Sequence, residues 1–129
     1  MTVTVYVGAD VSADGNFADC TYYRDHEGDE PIEGSEIHIP MTAGAFTFEQ
    51  SLKGSLSLIG ATFKTLGTAA GMNASNFAPA NDDGQVTFAM PTNTVITKGV
   101  VLLFSTPGVV ENLYPSSDPQ VINDASACP

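Results

Sequence analysis

The residues best placed for chemistry are Asp10, Ser12 and Asp14, which set side-chain oxygens at alternate positions just before Gly15. Oxygens so spaced can converge on a hard cation, and a glycine after the third allows the chain to turn sharply around it. Asp19 follows closely, and Asp25, Glu27, Asp29 and Glu30 supply further carboxylates downstream. Calcium is therefore the candidate cofactor, with Asp10, Ser12, Asp14 and Asp19 as candidate ligands. Asp and Gly are also the ordinary residues of tight turns, so a plain hairpin turn accounts for the same letters.

The six residues from Asp10 to Gly15 resemble the front half of an EF-hand loop. The resemblance stops there. The twelfth position, where a bidentate Glu belongs, is Thr21, and no flanking helices are indicated. A true EF-hand is rejected, which leaves a calcium turn between two strands.

Other reactive residue types are sparse. His26 and His38 are the only histidines, and they lack the close spacing or cysteine partners of a zinc site. Both read as solvated, His26 in an acidic loop and His38 on the polar side of a strand. Cys20 and Cys128 lie near opposite ends, and either a bridge or two free thiols fits the sequence. Cys20 has acidic neighbours, which disfavour a nucleophilic thiolate. There is no Gly-x-Ser-x-Gly elbow, phosphate loop or dinucleotide fingerprint. Paired carboxylates for glycoside hydrolysis would want an aromatic platform, and the chain has no Trp. An enzyme is not expected. Asn73-Ala-Ser75 is a glycosylation triplet in form only.

Charge narrows the partners. The formal net charge is −11, and the four basic residues, Arg24, Lys53, Lys64 and Lys98, form no cluster. Phosphate-backbone recognition needs clustered Lys and Arg, so no nucleic-acid partner is expected. An anionic membrane surface would repel the chain. No run reaches the roughly 18 apolar residues of a membrane span, so no membrane insertion is expected. Met1 to Val7 alternates and lacks a basic, then apolar, leader pattern, so it does not read as a signal peptide.

The elements that would position these residues are strands. At 129 residues the chain reads as a single domain, 1–129. Val3, Val5 and Val7 alternate with Thr and Tyr, predicting a first strand whose edge could pair with another chain. Residues 8–36 hold nine of the 15 acids and read as an acidic, loop-rich insertion. Alternation resumes at Ile37 and Ile39, at Phe46 and Phe48, at Leu56 and Leu58, and over Gln85–Met90. Residues 61–72 fit either a short helix or an irregular turn. Val100 to Phe104 is a continuous apolar run, the pattern of a central strand covered on both faces. Residues 107–129 read as an extended C-terminal tail. About seven short strands punctuated by Gly, Pro, Asn and Asp predict a mainly β fold, a β-sandwich or jelly-roll-like pair of antiparallel sheets.

Two functional readings follow. The first is a non-enzymatic structural or assembly protein, a subunit or decoration protein of a virion, filament or surface layer. Its partners would be copies of itself or other protein subunits, and its expected location a virion or an extracellular surface. The near-neutral body after residue 36, rich in Ala, Gly, Ser and Thr, motivates it. The alternative is a small calcium-dependent binding module, carbohydrate-directed in one version, built on the Asp10–Asp19 loop.

Overall fold

The structure, a computed structural model, describes residues 2–34, 36–65, 77–106, 109–116 and 119–125. It is a β-sandwich of two mixed sheets, with no helix among the described residues. The strands are β1 (Thr2–Val11), β2 (Ala18–Tyr23), β3 (Pro31–Ile32), β4 (Glu36–Pro40), β5 (Ala45–Gln50) and β6 (Ser57–Thr65). They continue as β7 (Phe77–Pro79), β8 (Gln85–Ala89), β9 (Thr97–Thr106), β10 (Val109–Pro115) and β11 (Gln120–Ala125). The first sheet runs β3-β2-β1-β5-β8. The second runs β4-β11-β9-β6-β7, and β10 also pairs with β9. The β1–β5 and β4–β11 pairs are parallel, and the rest are antiparallel.

Alternation explains which side chains meet between the sheets. Val5 and Val7 of β1, Phe46 and Phe48 of β5, and Val86 and Phe88 of β8 face inward from the first sheet. Ile37, Ile39, Leu58, Val100, Leu102, Phe104 and Val121 meet them from the second. Burying a side chain of this size stabilises the fold by roughly 1.5–3 kcal/mol each. The aromatic cluster also spans the layers: Phe63 of β6 stacks on Phe88 of β8 with centroids 5.1 Å apart. Lys98 lies over both rings, at 4.9 and 5.4 Å, and its Nζ donates to the Ala89 carbonyl at 2.9 Å. Burial lowers the Lys98 pKa below its usual value.

Four expectations need correction. The helix expected near residues 61–72 is not there over its first part, because Ala61–Thr65 extends β6 and pairs with Lys98–Leu102 of β9. Phe63 is inward by strand alternation, which the helical spacing of Phe63 and Leu66 mimicked; the remainder of that segment, with Asn73, lies outside the described residues. The expected C-terminal tail holds two strands, with β11 inside the second sheet between β9 and β4. Its polar letters misled because Asn123 is wholly buried and satisfied by hydrogen bonds. The expected open edge of the first strand is also reduced. β5 flanks β1 over Thr2–Val7 and β2 flanks it over Tyr6–Val11.

The acidic segment 8–36 is likewise more than loop. It contains the end of β1, all of β2 and the short β3.

Candidate functional site

The Asp10–Asp19 segment is the β1–β2 hairpin. The register pairs Asp10 with Asp19 and Val11 with Ala18. Ser12 N donates to the Phe17 carbonyl at 2.8 Å and Gly15 N to the Ser12 carbonyl at 3.0 Å, closing the turn. Gly15 takes φ +79°, a conformation costly for any residue with a Cβ. Sequence reasoning thus located the turn and the reason for its glycine.

The four candidate ligands fall into two pairs. Ser12 Oγ donates to Asp14 Oδ1 at 2.6 Å, and Asn16 N donates to the same oxygen at 3.0 Å. These bonds, the Ser12 hydroxyl first, hold the Asp14 carboxyl below the usual carboxylate range. Asp10 Oδ1 instead accepts from Ser55 N at 3.0 Å and Ser55 Oγ at 2.8 Å. Asp19 stands across the strand pair from Asp10, where like charges repel. Between the turn and β2 lies an open depression of about 430 Å³ lined by Ser12, Ala13, Asp14, Phe17, Ala18 and Asp19. Among the described residues, no group of three or more His, Cys, Asp or Glu is arranged to hold a metal ion.

The downstream acids are engaged in their own loop. The Asp25 carboxylate accepts from Asp29 N and Glu30 N at 2.9–3.0 Å. Burial pushes its pKa up, but the backbone donors, Asp29 and Glu30 foremost, outweigh that and leave it lowered. A lowered carboxyl pKa contributes stability above the unfolded value and loses it as pH falls through the folded one. The Asp29 and Glu30 amide resonances should therefore shift together on acidification, with a midpoint below the ordinary 3.8. A midpoint at or above that value would contradict this assignment.

The structure also joins groups that sequence spacing concealed. His38 Nδ1 lies 2.6 Å from Asp124 Oδ1, a partner 86 positions away, and its Nε2 is 3.9 Å from Glu36 Oε1. His26 Nε2 is 3.8 Å from Glu49 Oε2 and its ring meets Tyr6 edge-on. Gln85 Nε2 donates to Glu49 Oε1, and Asn81 Nδ2 donates to Gln85 Oε1, extending the chain of polar contacts. This chain borders a cleft of about 350 Å³ whose lining includes His26, Gln50, Asn81, Asp82 and Asp83. Both imidazoles are about half exposed, at 44% and 47%.

Cys20 is partly buried, and that burial pushes its thiol up to about 12. A nucleophilic role is disfavoured, since the thiolate is the reactive form. Peptide mapping should find Cys20 unlabelled by iodoacetamide in the native protein and labelled after denaturation. Rapid native labelling would contradict its burial. Cys128, the other half of the bridge considered above, lies outside the described residues.

A second candidate surface is the outer face of the β4-β11-β9-β6-β7 sheet. Opposed residues of neighbouring strands share a face. Since Val100, Leu102 and Phe104 point inward, Val101 and Leu103 point outward, and both are only half buried. Val101 lies opposite Thr62, which lies opposite Phe77, and the Phe77 ring rests over Gly60. Leu113 of β10, opposite Ser105, extends the same face. Phe77 and Leu113 remain 45% and 53% exposed. No known family matches the chain, and neither does any curated protein. The functional argument therefore rests on these surfaces. No helix among the described residues is long and apolar enough to cross a membrane.

Proposed function

We propose that this chain is a non-enzymatic assembly protein, a structural subunit or decoration protein of a virion, filament or surface layer, which packs against copies of itself or other protein subunits. One observation carries the reading. β9 is apolar on both faces over Val100–Phe104, yet among the described residues only the inward face is fully buried, while Val101 and Leu103 on the outer face are half buried. A sandwich strand facing solvent normally alternates apolar with polar residues. Contiguous apolar surface left outside a fold marks an interaction site more often than it marks accident. The neighbouring Phe77 and Leu113 enlarge the uncovered area beyond a single strand.

Light scattering on the purified chain over a wide concentration range tests the reading. A defined multimer is expected. A strict 13.4 kDa monomer at the highest concentration would overturn it.

The alternative, a calcium-dependent binding module, carbohydrate-directed in one version, is supported by the Asp10–Asp19 pair beside the open depression. It ranks second because one oxygen of each carboxylate, Oδ1 of Asp10 and of Asp14, is already taken by two protein donors. A melting curve with millimolar calcium against chelator separates the two. A rise in Tm that disappears in Asp10→Ala plus Asp14→Ala would favour the module, and no rise would remove it.

A further inference from the structure

We infer that the outer face of the second sheet is self-complementary and receives the same face of a second copy of this chain, related by a two-fold axis running along β9. The inference rests on the assembly reading and names its surface and partner.

The argument comes from a row of residues crossing the sheet. Lys64 on β6 lies opposite Gly99 on β9, Gly99 opposite Gln120 on β11, and Gln120 opposite Glu36 on β4. The row thus has a cation near one side and an anion at the other, with two uncharged residues between. Strands stand about 4.8 Å apart, so Lys64 and Glu36 are roughly 14 Å apart within one chain. Among the described residues, Lys64 makes no ion pair, whereas Glu36 is 66% exposed and has only a long contact to His38.

A two-fold along β9 exchanges the sides of the sheet and preserves height along the strands. It lays β6 of the second copy over β11 of the first. Lys64 of the second copy then stands above Gln120, one strand from Glu36, and symmetry repeats the pair on the other side. Packed sheets lie about 10 Å apart, a gap that a Lys and a Glu side chain can bridge together. Aligned packing of this kind is the usual arrangement of stacked sheets. The same operation sets Val101 and Leu103 against their own copies at the centre. It also brings Leu113 over Ser57, a small residue that shares its partner Ser105 on β9. The interface gains an apolar centre and a charged rim, the ordinary anatomy of a specific contact. A purely basic partner fits less well, because most of the face is uncharged.

Sedimentation equilibrium of the full chain, with Lys64→Glu, Glu36→Lys and the double exchange, tests the assignment. Each single reversal should weaken self-association by roughly ten-fold, since it turns two symmetric attractions into repulsions. The double exchange should restore association, and Leu113→Asp should weaken it without changing the circular dichroism spectrum. If the native chain associates but these variants associate equally well, another surface is responsible. The inference then falls while the assembly reading stands. A native chain that stays monomeric overturns that reading as well.

Discussion

Asn123→Leu should lower stability by about 3 kcal/mol, although it places an apolar residue of similar size at a fully buried position. Asn123 Oδ1 accepts from Ile96 N at 2.7 Å, and its Nδ2 donates to the Pro91 and Thr94 carbonyls at 2.9 Å each. One amide therefore serves three backbone groups of the 91–96 loop, and fastens that loop to β11. Leucine removes all three bonds while leaving the backbone groups in place. A buried donor or acceptor left unpaired costs about 1–3 kcal/mol, and loop relaxation toward water recovers part of the sum. For a domain of this size the Tm should fall by about 10 °C. Asn123→Asp should be worse near neutral pH, because it sets a buried carboxylate against two carbonyls. Thermal melts followed by circular dichroism check both. A loss below about 1 kcal/mol for the leucine variant would contradict the role assigned to this amide.

Gly54→Val should cost at least as much, for a steric reason. Gly54 has φ +90°, and a Cβ there would stand 2.4 Å from Ala9 N and 2.7 Å from Ala9 O. No side-chain rearrangement relieves that, since both obstacles are backbone atoms of β1. The 51–56 loop would have to lift from the strand. Its bonds from Ser55 N and Leu56 N to the Ala9 carbonyl, and from Ser55 to Asp10, would go with it. We expect a loss of about 3 kcal/mol or more by chemical denaturation. Gly15→Ala is the discriminating control. Gly15 also has positive φ, but nothing lies within 4 Å of an added Cβ, so only the conformational cost of about 1–2 kcal/mol applies. Equal losses at the two positions would show that close approach to β1 is not what matters at Gly54.

Legibility in the sequence followed the range of the physics involved. The strands at Val3–Val7, Phe46–Phe48 and Val86–Phe88 were readable because period-two alternation is local. The β-sandwich class followed from their number and from the turn residues between them. β11 was not readable, because its buried polar residue, Asn123, is explained only by carbonyls some 30 positions earlier. The 61–65 segment was ambiguous because Phe63 fits a strand period with Ala61 and a helical one with Leu66, and pairing with β9 decided between them. At the candidate site, the turn around Gly15 was legible from Asp and Gly alone. The engagement of Asp10 by Ser55 was not, being a contact 45 residues long. The His38–Asp124 pair was hidden for the same reason.

The continuous run Val100–Phe104 offers the closest link between sequence and function. Its composition calls for cover on both faces, and among the described residues the fold buries one fully and leaves Val101 and Leu103 on the other half buried. Hydroxyl-radical footprinting at increasing protein concentration tests directly whether a neighbour supplies the other. Phe77 and Leu113 on the outer face should lose labelling as the protein assembles, while Leu52 and Val95, exposed elsewhere, should keep theirs. If all four positions label alike at every concentration, no subunit covers that face and the account of the protein as an assembly subunit through this surface is wrong.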